Sequence, residues 1–296
     1  MTARTGDTAG TTCVTTTDGV VLGVRSAGDP SRPAVLIASA CGMPAELCDV
    51  WLRFLGREHH VLTWETRGLS SVSGGADGTD ETDEDTEAFD GMGHQIIDQI
   101  GDILAILDHH QVSRAHVMGL CGGAVLALRM AAEHADRVAS MSLWHGDFNL
   151  GAGTPTTSHQ RNLRALMEIA AESRQSAAMV HEAVPQNTTA DLPPDLASLV
   201  LRPFRDAETF YRYSLLNGAL MAEDIRDTLS RVQIPALVVT SEDDRTAHPA
   251  GSRAVAAALA RSRLHVEAHG DHLSLFAAEN ALTAVAADFL AEAGRP

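Results

Sequence analysis

Three short stretches of the chain carry residue types that could share one reaction. Gly119-Leu120-Cys121-Gly122-Gly123 holds a thiol with glycines two positions away on either side. Ser241-Glu242-Asp243-Asp244 offers carboxylates, and His269-Gly270-Asp271-His272 offers imidazoles. A thiol, an imidazole that can take its proton and a carboxylate that orients the imidazole are the parts of nucleophilic acyl chemistry. The glycine spacing has a steric reading. A nucleophile that projects above a sheet sits at positive φ on a sharp strand-to-helix turn, which crowds the positions two before and two after it. A helix opening just beyond such a turn aims its first N–H groups at the site, where they lower a thiol pKa and stabilise oxyanion charge. The plain alternative is a glycine-rich turn around a buried, inert cysteine.

The elements that must hold these residues are legible around them. Thr11–Thr17 and Val20–Ser26 alternate about the Asp18-Gly19 turn and predict an antiparallel hairpin. Short apolar runs at Ala34–Ser39, Val61–Glu65, Ala115–Gly119, Val138–Trp144, Ala236–Thr240 and Leu264–Ala268 predict further strands. Helical stripes lie between them, at Leu47–Arg57, Gly93–His110, Gly122–His134 and from about Leu273 to Ala293. A hairpin followed by strand–helix alternation predicts an α/β fold, a mostly parallel eight-stranded sheet with helices on both faces. Cys121 then follows the fifth strand, Asp244 the seventh and His272 the eighth.

Two segments interrupt the alternation. Residues 74–93 contain eight acids and read as a mobile, solvated loop, without the spacing of a calcium-binding loop. Residues 148–223 carry helical stripes and prolines at 185, 193, 194 and 203, and read as a helical cap over the carboxyl edge of the sheet, where open α/β folds bind ligands. The core is accordingly expected over 11–147 and 224–296.

With the strand, the glycine-flanked cysteine and the following helix in place, the chain resembles the α/β-hydrolase superfamily over roughly residues 12 to 292. That superfamily runs nucleophile, acid, histidine in chain order. The resemblance implies Cys121 as nucleophile, His272 as proton carrier and Asp244 as orienting acid. Asp243 is the next candidate and Asp147, after the sixth strand beside His145, a further one. His269 reads as a loop residue. The resemblance also implies an oxyanion hole of two backbone N–H groups, one from Gly122 and one from the loop after Ala34–Ser39. That loop, Ser39-Ala40-Cys41-Gly42-Met43-Pro44, lacks the family's His-Gly pair, and Cys41 is the positional match, with Gly42 next. Trp64-Glu65-Thr66-Arg67-Gly68-Leu69-Ser70 resembles the family's architectural turn after the fourth strand, with Arg67 as an ion-pair anchor. Cys13 and Cys48 read as structural.

Cysteine in place of serine points to an acyl-thioester intermediate that can pass to water, an alcohol, an amine or a carbon nucleophile. Members of the superfamily with such cysteines include dienelactone hydrolases, polyester synthases and some thioesterase-like enzymes. The expected activity is therefore hydrolysis or transfer at an ester, lactone or thioester of a small, polyketide-like metabolite. A second expectation keeps the fold but changes the reaction: superfamily enzymes of tetronate-type polyketide pathways eliminate acetate from an O-acetylated intermediate to leave an exocyclic alkene. A third is a non-catalytic ligand receptor, which would have no need of all three site residues.

Composition narrows the partners. Thirty-nine acids face twenty-two bases, a net charge of −17, and every base is arginine because the chain has no lysine. That balance excludes a nucleic-acid backbone binder and disfavours an anionic membrane surface. No apolar run is long enough to cross a bilayer, and Met1–Gly10 lacks the apolar region of a secretory signal. Four cysteines without metal-ligand spacing predict reduced thiols, no metal, no cofactor and a cytoplasmic protein. Carrier proteins are themselves acidic, so the acidic loop favours a free small-molecule acyl or acylated substrate.

Overall fold

Apolar runs of five to seven residues form the middle of one sheet. The structure is a computed structural model and describes residues 10–70, 83–183, 194–277 and 280–294. In chain order the strands are β1 (Gly10–Thr15), β2 (Val21–Ala27), β3 (Ala34–Ala38), β4 (His60–Trp64), β5 (Ala115–Leu120), β6 (Val138–Trp144), β7 (Ala236–Ser241) and β8 (Ser262–Glu267). They lie side by side as β1-β2-β4-β3-β5-β6-β7-β8. The first two pairings are antiparallel and the rest parallel. Every residue of β3, β4 and β5 is buried, as expected where both faces of a parallel sheet are covered. Edge strands β1 and β8 are far more exposed.

The helices are α1 (Asp49–Leu55), α2 (Asp83–Gly91), α3 (Ile96–His109), α4 (Gly123–Glu133), α5 (Ser158–Ala170), α6 (Arg174–Ala183), α7 (Pro194–Val200), α8 (Ala207–Ala222), α9 (Arg226–Arg231), α10 (Pro249–Ala258) and α11 (Leu282–Ala293). Because strand side chains alternate, the sheet builds two cores. Leu36, Val117, Met141 and Val238 join Ile100, Ile103 and Val125 on one face. Val35, Ile37, Met118 and Val239 join Trp51 and Phe289 on the other. This is the mostly parallel sheet expected from the alternation, arranged as the resemblance to α/β-hydrolases implies, and it brings the ends of β3, β5, β6, β7 and β8 to one edge. No described helix is long and apolar enough to cross a membrane.

The segment 148–223 leaves β6 and contains α5 to α8, with α8 packed against α5 and α6. Its two ends meet: Asn149 bridges Asp224, and the Ile225 amide donates to the Asn149 carbonyl (3.1 Å).

Three local expectations are corrected. The acidic stretch is not loop throughout: residues 74–82 lie outside the described residues, but 83–91 form α2. Phe89 on that helix is fully buried, stacked on His94 beneath the Arg212 guanidinium, and Asp90 pairs with Arg174. One buried aromatic supplies the packing that a solvated charge run lacks. The C-terminal helix does not start at Leu273. A 3-10 turn, His272–Phe276, precedes it, and Asn280 restarts the chain by accepting from the Leu282 amide (2.9 Å). Cys13, finally, is exposed on edge strand β1 instead of structural.

Candidate active site

The turn after β5 takes its shape from its neighbours. Cys121 holds φ +52°, the left-handed region that L-residues avoid, and its amide donates to the Trp144 carbonyl (2.9 Å). A Cβ on Gly119 would stand 2.5 Å from the Ala124 Cα, and one on Gly123 would stand 2.1 Å from the Ala38 carbonyl oxygen. Both obstacles are backbone, so only glycine fits. The tight turn drives α4 against β3 and lifts the half-buried Cys121 side chain toward the sheet edge.

Asp244 sits three residues past β7. Its Oδ1 accepts from the Thr246 and Ala247 amides (2.8 and 3.0 Å), and its Oδ2 from His272 Nδ1 (3.0 Å). The His272 backbone is fixed by Asp271, whose carboxylate accepts from the Leu273 and Ser274 amides, and by the Ser241 hydroxyl, which donates to the Gly270 carbonyl (2.5 Å). Burial alone would raise the Asp244 pKa. Hydrogen bonds from His145 and His272, and the Ala247 amide, outweigh it and hold the carboxyl well below its ordinary value. For His272, burial opposes the charged form. The nearby Cys121 sulfur and the Asp244 carboxylate overcome that, and the imidazole pKa lies well above its usual value. The structure therefore brings Cys121, His272 and Asp244 together.

The other acids fall elsewhere. Asp243 is exposed and pairs with exposed His269 (3.1 Å). Asp147 is partly buried and accepts from Gln160 Nε2 (2.5 Å), with burial raising its pKa.

The loop after β3 approaches the turn from the other side. Gly42 donates its amide to Thr66 Oγ1 (3.0 Å), which commits that group. Among the described residues, neither the Cys41 nor the Gly122 amide donates to a protein acceptor. The Cys41 thiol itself is buried and its pKa is pushed up to about 12 by that burial. All four cysteines are free thiols. Above both loops lie α8 and the turn before it: Pro203 of that turn and Tyr213 of α8 crowd Gly42, and Asn217 Oδ1 faces Gly122. Asn217 Nδ2 donates to the Tyr213 hydroxyl (3.1 Å). No sequence motif singled out Tyr213 or Asn217, whose helical stripe reads equally as core.

A residue without an assigned role completes the cluster. His145, fully buried just past β6, directs its Nδ1 at Asp244 Oδ2 (2.9 Å), the atom that also receives His272. Its ligand atom, with those of Asp244 and His272, falls within a 4.8 Å group that could be read as a cation site. Hydrogen bonding accounts for the geometry instead, because both Nδ1 atoms point at one carboxylate oxygen. A single sequence shows His145 only as a histidine at a strand end; its contact 99 residues away leaves no local signal.

Arg67 behaves differently from all of these. Nε and Nη2 grip both oxygens of buried Asp102 (2.9 and 2.6 Å), and the remaining N–H groups reach Asp18 and the Gly93 and Asp98 carbonyls. It locks the turn after β4 to α3.

A family model for the alpha/beta hydrolase fold matches residues 70–278. The chain is 26% identical over 270 residues to a Variovorax paradoxus (strain S110) protein whose name assigns it, provisionally, to carbamate hydrolysis; the match covers 91% of this chain and 96% of that one. It is 23% identical to 3-oxoadipate enol-lactonase 2 of Acinetobacter baylyi, over 77% of this chain and 78% of the lactonase. The enol-lactonase of Burkholderia xenovorans LB400 superposes with a TM-score of 0.72 at 24% identity, covering 95% of this chain and all of that one. The strand order, the glycine-bounded turn and the matched span lead to one assignment: the chain belongs to the alpha/beta hydrolase fold family.

Proposed function

We propose that this alpha/beta hydrolase enzyme acts on the carbonyl of a small ester, lactone or thioester, with Cys121 as nucleophile, His272 as proton carrier and Asp244 as its orienting acid. The observation that carries this reading is the position of His272, bonded to Asp244 through Nδ1 (3.0 Å) just past β8, on the sheet edge where the strained Cys121 turn ends β5. The Cys121 sulfur attacks the carbonyl carbon as its proton passes to His272. The Cys41 and Gly122 amides receive the oxyanion. Collapse breaks the bond to the leaving alcohol or thiol, which takes the proton from His272 and leaves an acyl-thioester. Water, deprotonated by His272, adds to the thioester, and the released sulfur regains the proton. Two relatives are named as enol-lactonases, which supports lactones and enol esters as the first substrates to try.

Intact-mass analysis with small activated esters and lactones in ¹⁸O-water tests this. The expected result is an acyl adduct on Cys121, absent in Cys121→Ala, and one labelled oxygen in the acid product. Turnover of Cys121→Ala at the wild-type rate overturns the nucleophile. Loss of acetic acid from an acetylated substrate without label would replace hydrolysis by elimination.

A further inference from the structure

Asp244 Oδ2 receives two imidazoles, where an orienting acid needs one. The carboxylate can only accept, so both Nδ1 atoms, of His145 at 2.9 Å and His272 at 3.0 Å, carry protons directed at the same oxygen. The rings meet edge to face, with centroids 5.6 Å apart. With two amides on Oδ1, the acid is saturated by four donors.

His145 occupies its place against two penalties. Its backbone holds φ +47°, which is unfavourable for a residue with a side chain. Its Nε2 is buried without a hydrogen-bond partner and faces Glu267 Oε2, also unpartnered, at 3.6 Å. The one hydrogen bond its ring makes is to Asp244. A strained residue with an unsatisfied buried atom beside a reactive group is where function is to be sought.

We propose that His145 is a positioning residue that sets the basicity of His272: by donating to Asp244 Oδ2 it holds the carboxylate in place and takes a share of its charge. A carboxylate divided between two donors supports either imidazolium less than one devoted to a single ring. The groups facing the pair are few. His145 meets Asp244, His272 and Glu267. His272 meets Asp244 directly, and feels Cys121 from the turn after β5 and Asp147 and His159 from β6's end and α5. The role in turnover rests on the acyl-transfer reading above, but the charge sharing can be measured without substrate.

Imidazole ¹H–¹⁵N NMR of the full chain is the test. The wild type shows two slowly exchanging, downfield Nδ1–H signals. In His145→Leu one is lost, the other moves further downfield, and the His272 titration midpoint rises by about one pH unit. In His145→Asn the amide nitrogen stands near the Nδ1 position and asparagine tolerates positive φ, so the midpoint returns toward the wild-type value. A single downfield signal in the wild type overturns the proposal, whether or not the leucine variant folds. So does a His272 midpoint unchanged in a folded His145→Leu. Absence of turnover with intact charge sharing would instead sink the acyl-transfer reading alone.

Discussion

Two buried charge networks stand past the ends of two strands, and they end differently. Beyond β4, Arg67 directs all five of its N–H groups at protein acceptors, and the network closes on itself. Beyond β7, Asp244 is equally saturated, but two of its four donors are imidazoles whose second nitrogens make no hydrogen bond within the network. His272 turns toward Cys121, and the His145 Nε2 has no hydrogen-bond partner. A closed network fixes geometry; one that ends on an imidazole near a thiol has, under the proposed reaction, a valence left for a substrate. The difference separates architecture from chemistry among groups that burial alone would rank together.

The comparison can be broken at either network. Cys121→Ala should lower acyl turnover by about 10⁴-fold or more with the fold intact, read by steady-state kinetics beside circular dichroism; retention of wild-type rates would merge the two networks into one structural class. Asp244→Asn should cost about 10⁴-fold in kcat, since the amide favours the wrong imidazole tautomer. Arg67→Met should act oppositely, removing about 3–5 kcal/mol of stability in urea titrations because Asp102 is left buried and unpaired, and adding Asp102→Leu should restore much of it.

Stability against pH sharpens the contrast. The Asp244 pKa is depressed in the folded state, so its contribution is present above the unfolded value near 3.8 and lost as pH falls through the folded value. The His272 pKa is raised, so its contribution is full below the unfolded value near 6.5 and lost as pH rises through the folded one. Urea titrations from pH 3 to 9 should show the Asp244→Asn gap beginning to narrow below about pH 3.8 and the His272→Gln gap beginning to narrow above about pH 6.5, each gap being fullest, about 1–3 kcal/mol, between those limits. The smallest effect belongs to Cys41. In the proposed reaction only its amide serves the oxyanion, so Cys41→Ala should change kcat by less than about tenfold. Iodoacetamide at pH 8 should label exposed Cys13 and half-buried Cys121 while sparing Cys41, its thiol pKa near 12.

Much of this was readable in the chain because its causes are local. Gly119 and Gly123 announce a turn where a β-carbon would strike backbone, and the alternating apolar runs set the strand series. What stayed hidden depends on contacts across the chain. Phe89 folds α2 within an acidic run only because His94, Tyr211 and Arg212 are waiting for it. The break after His272 follows from Asp271 and Asn280 capping separate turns. His145 becomes meaningful only when β6 and β7 lie side by side, and Tyr213 and Asn217 only when α8 lands on the two loops.

The left-handed backbone at Cys121 has one more consequence. Its strain is a property of the main chain between β5 and α4, imposed by glycines and neighbouring strands, and does not depend on which atom caps the side chain. Oxygen at the γ position would inherit the same perch, the same amides and the same imidazole. In a scaffold of 296 residues, whether the proposed intermediate would be a thioester or an oxygen ester is decided by one chalcogen.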